Sequence, residues 1–198
     1  MLVIAMETQS SPPGRLRWTA RRHDDDESDA TSGASAAGLF DTVFGALHDG
    51  EQVALGFDCP LTLPVAPGHA GPDTADNLAR QAGDRPGIAE LAELLGQLAT
   101  WRPWTTVSTS LSRWKANTSI LVWEAVPAAG SGGVRPGPAA DSFFRRLGVA
   151  GAEEEPAAGT VVNLAAAASR RAGLFVDAPE LARPAVSITV PSDLLEIG

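Results

Sequence analysis

One cysteine, Cys59, stands in a chain of 198 residues, so no disulfide can form within it and a reducing cytosol is the expected setting. Lysine is equally scarce: Lys115 stands alone against fourteen arginines, a bias that reads as base composition more than function. Positive charge is in deficit overall, with a formal net charge of −9. That argues against a broad electropositive face and tight, sequence-independent duplex binding, and leaves nucleic acid as a partner at a small site only. Long apolar runs are missing too. Leu2-Val3-Ile4-Ala5-Met6 has no basic segment before it and meets Glu7 at once, too short for a signal peptide or a membrane span, so a cytoplasmic location is expected. There is no P-loop, no G-x-G-x-x-G and no G-x-S-x-G, which removes the commonest nucleotide and hydrolase readings. His23, His48 and His69 match no zinc spacing and read as surface or loop residues; His69 is kept in view because its loop follows Asp58. Cys59 lies beside the negative charge of Asp58, which disfavours a thiolate, so it is not read as a nucleophile.

What is present is enough for a folded core. Hydrophobic residues make up 44% of the chain at a mean hydropathy of zero, and the length suits one α/β domain over residues 1–198, without staples or internal repeats. The chain is organised around Gln52 to Leu61, a nearly all-apolar run that stops on Asp58 and Pro60. That pattern is how a buried strand delivers one carboxylate to a sheet edge, where α/β proteins place ligands. The plainer reading is that Asp58 caps a turn before Pro60.

Along the chain, Leu2 to Glu7 predicts a buried strand and Arg15 to Arg21 its alternating hairpin partner. Residues 24–34 read as a charged, flexible loop. Leu39, Phe40, Val43, Phe44 and Leu47 give one face of a helix over Ala36 to His48, ended by Asp49-Gly50. The stretch 64–87 is dense in proline and glycine and reads as a long loop with one helical turn over Thr74 to Gln81. Ile88 to Leu98 is an amphipathic helix with Glu90 and Glu93 pointing outward. Trp101, Trp104 and Trp114 surround Thr105 to Ser112, a stretch without a clear assignment, and are expected to pack more than to stack on bases. Asn117 to Val126 is the next strand, with Glu124 close to Pro127. A flexible loop over 128–138 precedes a short helix, Asp141 to Leu147. Glu153 to Gly159 is a loop, Val161 to Ala172 a small-residue helix suited to lying on a sheet, and Pro179 to Ala182 a short helix capped by Asp177. Ala185 to Val190 is a late edge strand.

This order predicts a mixed sheet flanked by helices, with the first strand beside the Asp58 strand and the Glu124 strand on its other side. Right-handed crossovers then bring Glu7, Asp58 and Glu124 to one end of the sheet. Carboxylates that close repel unless a cation or a shared proton sits among them, and oxygen ligands suit Mg²⁺ or Mn²⁺. Asp41, on the first helix, is a weaker fourth candidate, more ordinary as a solvent-facing acid.

The segments VALGFDCPLTLP and SILVWEAVPA resemble the Asp-x-Pro and Glu-x-x-Pro segments of a family of uncharacterised proteins predicted to be nucleases of the RNase H fold. The resemblance implies a ribonuclease H-like sheet with a metal-bound acidic centre, and adds Asp76 and Arg80 as a weak further match. It makes Glu7, Asp58 and Glu124 the expected catalytic residues and metal ligands. Two departures stand out: Glu7 where such a site carries aspartate, and Asn163, an uncharged ligand candidate, where a carboxylate is expected. The implied activity is a metal-dependent phosphodiesterase or nuclease. The alternatives are a non-catalytic interaction protein on the same scaffold and a hydrolase of a small phosphorylated molecule.

Overall fold

The computed structural model describes residues 1–8, 16–23, 29–83, 85, 87–128, 133–149 and 161–192. In chain order the elements are β1 (Leu2–Glu7), β2 (Arg17–Arg22), β3 (Thr31–Gly33), α1 (Ala36–His48), β4 (Val53–Phe57), β5 (Thr62–Pro64), α2 (Pro72–Ala82), α3 (Ile88–Trp101), β6 (Val107–Ser108), α4 (Leu111–Asn117), β7 (Ile120–Pro127), α5 (Pro136–Leu147), β8 (Val161–Asn163), α6 (Leu164–Arg171), α7 (Ala178–Leu181) and β9 (Ser187–Val190). Seven strands form a mixed sheet in the order β3-β2-β1-β4-β7-β6, with β9 also paired to β7; β5 and β8 form a separate two-stranded sheet. The α/β class and the placement of the Asp58 strand between the first strand and the Glu124 strand match the expectation from sequence.

The chain divides into two compact units, one of Met1–Cys59, Trp123–Ala152 and Ser187–Gly198, the other of Pro60–Val122 and Glu153–Val186. In the first unit β1 is antiparallel to β2 and parallel to β4, the pairing that needs the α1 crossover. β4 is buried along its whole length and β1 in all but its last residue, Glu7, which explains their apolar sequence. Gly56 stands in mid-strand for a steric reason: a methyl there would overlap the Trp123 indole, which itself packs on Phe143 of α5 with ring centroids 4.9 Å apart. Helix α1 starts at Ser35, whose hydroxyl accepts from the Gly38 amide at 3.1 Å while its carbonyl accepts from Trp18 Nε1 at 3.1 Å. Helix α5 packs on β1, β2 and β9, fixed by an Arg21 Nη1 to Asp141 Oδ1 ion pair at 2.6 Å.

In the second unit the centre is α6, where Leu164 to Ser169 are all buried. Four consecutive alanines let α2 and α3 approach it closely, so the small-residue helix lies against helices as well as strands. It starts three residues later than its sequence suggests, because Val161 and Val162 pair with β5 as strand β8. The stretch 64–87 departs further from expectation: α2 fills three turns, with Ala75, Ala79 and Ala82 buried at helical spacing. Helix α3 opens on Gly87 at φ 86°, and Glu90 turns back to accept from the Gly87 amide at 2.6 Å instead of pointing outward. The unassigned stretch holds strand β6 and the first residues of helix α4, which buries Leu111 and Trp114, whereas Trp101 and Trp104 are 43% and 71% exposed. Asp177 precedes α7 without a side-chain capping bond; its carboxylate takes Arg113 at 2.6 Å. The loop expected over Glu153 to Gly159 lies outside the described residues, as do residues 24–28 of the charged stretch 24–34; its end is not loop but strand β3, paired with β2.

Candidate functional site

Glu7 ends β1 and sits opposite Arg17 across the antiparallel pair. It is half-buried, and its side chain has no hydrogen-bond or ion-pair partner among the described residues. In the parallel pairing of β1 with β4 the last paired residues are Met6 and Phe57, and Glu7 and Asp58 are the next residues of their respective chains. Asp58 follows the last residue of β4, and its Oδ1 accepts from the Thr8 amide at 2.9 Å and from the Thr8 hydroxyl at 2.5 Å. Thr8 is therefore a positioning residue that the sequence did not flag. It ties the end of β1 to the end of β4 through the carboxylate and is itself buried.

Glu124 lies on β7, the neighbour of β4 in the sheet, but not at the strand's end: β7 runs on to Pro127, and Glu124 faces Ser187 of β9. Among the described residues no three His, Cys, Asp or Glu side chains come together as a group able to hold a metal ion. Glu7, Asp58 and Glu124 thus occupy consecutive strands without forming the expected three-carboxylate cage.

Asn163 belongs to the second unit and is fully buried. Its Oδ1 accepts from the Ala166 amide at 3.1 Å, capping α6, and its Nδ2 donates to Thr109 Oγ1 at 2.7 Å. Both ends of the amide are engaged, so its position is explained by helix capping and burial. The same network holds Glu180, 2% exposed, whose Oε2 accepts from the Thr109 amide and hydroxyl at 3.2 and 2.7 Å. Arg113, itself partly exposed, places Nη1 3.2 Å from Glu180 Oε1 and closes a polar centre that no sequence pattern announced. Asp76 lies on α2 with Arg170 at 3.9 Å, Arg80 is exposed on the same helix, and Asp41 is exposed on α1. His23, His48 and His69 are all exposed; Cys59 is buried.

A second group of residues gathers around Glu7. A cavity of about 410 Å³ is lined by Glu7, Arg17, Trp18, Thr19, Ser32 and Arg135, among others. Arg17 and Thr19 alternate with buried Trp18 along β2, Ser32 comes from β3, and Arg135 immediately precedes α5. The alternation over Arg15 to Arg21 was the one sequence signal for this face. The contribution of Arg135 depends on the tertiary fold.

In comparisons with known proteins, no family model, no curated protein and no solved structure matches this chain. No helix among the described residues is long and apolar enough to cross a membrane.

Proposed function

We propose that the chain hydrolyses a phosphoester at the rim where β1 and β4 end, with Glu7 and Asp58 as the acting carboxylates, on a sheet of ribonuclease H type. The observation that carries this is the meeting of those strand ends: beyond the last pair, Met6 and Phe57, β1 continues into Glu7, a half-buried carboxylate without a side-chain partner among the described residues, and β4 into Asp58, which Thr8 holds in a fixed orientation. Two adjacent hard oxygen donors fit Mg²⁺ or Mn²⁺, which bind through one or two carboxylates and otherwise keep water and substrate oxygens. Glu7 and Asp58 would hold the ion, and Glu124 and Asn163 are not required as ligands. When bound, the ion supplies Lewis acidity at the phosphoryl group. Thr8 contributes by keeping Asp58 oriented without the carboxylate having to reorganise. Arg17, across the ladder from Glu7, offsets the charge of an approaching phosphate.

The test is turnover. Asp58→Asn keeps an oxygen able to accept from Thr8 and so keeps the local fold, while removing the charge. Mn²⁺-stimulated cleavage of phosphodiester and phosphomonoester substrates is expected to fall at least about a hundredfold in this variant, a size typical of losing one charge-stabilising group. Cleavage at the wild-type rate would refute the role of Asp58.

A second reading, a non-catalytic interaction protein, is favoured by a separate observation. In the second unit Trp104 and Phe175 are 71% and 63% exposed, and Thr106 pairs with Phe175 in a parallel bridge, so the two rings lie on adjoining segments. Under it, Mg²⁺ leaves thermal stability unchanged, and replacing Trp104 and Phe175 by serine, not Asp58 by asparagine, abolishes partner binding.

A further inference from the structure

We propose that the cavity bounded by β1, β2, β3 and the start of α5 binds a phosphomonoester, with Arg17 and Arg135 taking the phosphate. This deepens the hydrolase reading and rests on it for the link to chemistry, but binding itself needs neither metal nor turnover. The first observation is unspent charge. Arg17, Arg135 and Glu7 all line the cavity, and the side chain of none has a hydrogen-bond or ion-pair partner among the described residues. Elsewhere in the same unit Arg21 is paired with Asp141 and Arg22 with Glu51. In a chain of net charge −9, two arginines, both solvent-exposed, and one carboxylate line one open cavity, which leaves a local positive excess. The guanidinium fork matches phosphate oxygens two at a time, which a single lysine charge does not.

The helix end sharpens the assignment. Helix α5 directs the positive end of its dipole toward this cavity, yet Pro136 and Pro138 in its first turn have no amide hydrogen to donate. Of the first three helical residues only Gly137 keeps an amide hydrogen, so most hydrogen bonds to an anion would come from side chains, and Arg135 stands at the helix start. Thr19 Oγ1 and Ser32 Oγ lie 3.0 Å apart across the β2–β3 pair. One hydroxyl donates to the other, which leaves the acceptor's own hydrogen for a ligand oxygen. Glu7 repels a bare phosphate but accepts from a hydroxyl, so the ligand that satisfies the whole lining carries a phosphate and a hydroxyl. A volume of about 410 Å³ suits a sugar phosphate or one terminal nucleotide and lies within the ordinary small-molecule range of ~300–1,000 Å³.

The test is calorimetry on the full chain in EDTA, so that no divalent ion and no hydrolysis contribute. The probes are inorganic phosphate, ribose 5-phosphate, ribose, and a short oligonucleotide with and without a 5′-phosphate. Ribose 5-phosphate is expected to bind and ribose not. Arg17→Ala and Arg135→Ala are each expected to weaken binding about tenfold or more, the loss of one charge-assisted pair. Arg22→Ala, which removes an arginine already paired with Glu51, is expected to leave it unchanged. Glu7→Gln is expected to strengthen inorganic phosphate binding, because a repelling charge goes. Tighter binding of the 5′-phosphorylated oligonucleotide than of ribose 5-phosphate would support the same site with a polymer end as its source. Absence of saturable binding by any phosphorylated probe, or arginine variants that bind like wild type, would overturn the assignment. Since Asp58→Asn is expected to bind ribose 5-phosphate normally here, failure of hydrolysis and failure of this site are separately visible.

Discussion

At the scale of single residues, three positions carry strong expectations. Gly56 has no room for a side chain beneath Trp123, so Gly56→Ala is expected to cost ~1–3 kcal/mol by overpacking, read from urea unfolding. Thr8→Val removes the hydroxyl that donates to Asp58 while keeping the amide bond; a loss of about 1 kcal/mol is expected, with a larger effect on turnover than on stability. Glu51 accepts hydrogen bonds from Arg22, chiefly, and an ion pair from the Met1 amino group at 3.2 Å. These outweigh its partial burial and hold its carboxyl below the ordinary 4.5. A depressed carboxylate stabilises the fold fully above the unfolded value, and that contribution is lost as pH falls through the lower folded one. Glu51→Gln is therefore expected to be less stable than wild type at neutral pH, with the gap closing below pH 4.5. A gap that stays constant on acidification would show that Arg22 does not set this titration. These features were not legible in sequence, because each depends on a partner at least 29 positions away.

At the scale of elements, what could be read followed large apolar side chains. Helix α1 and the body of α3 declare themselves through Leu, Phe and Ile at helical spacing, and β1, β4 and β7 through largely apolar runs. Helix α2 did not, since its buried positions are alanines and its first residue is a proline, both easily read as loop. Helix α5 was foreshortened for the same reason: prolines at its start are compatible with a first turn but look like a linker. Asn163 illustrates how the same residue type can suggest a ligand from a motif and serve as a cap in the fold. Asn163→Ala is expected to cost ~1–3 kcal/mol, combining loss of the α6 cap with an unmet bond at Thr109. Asn163→Asp, which retains the capping oxygen but places a charge near buried Glu180, would be milder only if that charge were compensated. Thermal melts of the two variants distinguish capping from packing.

At the scale of the whole molecule, the order of strands was legible and the distances between side chains were not. The sequence pattern put β1, β4 and β7 side by side, as they are, yet Glu124 sits within its strand and no three-carboxylate group forms among the described residues. Strand order follows from crossover rules, whereas the phase at which a strand presents one acid depends on where pairing begins and ends. The hydrolase account therefore narrows to two strand ends and the arginine-lined cavity beside them. The most direct check is titration of the full chain with Mn²⁺ in a calorimeter, wild type beside Asp58→Asn and Glu7→Gln. The account predicts one saturable ion in the wild type, weakened about tenfold or more in both variants with their melting profiles intact; no ion in the wild type, or equal binding in all three, would contradict it.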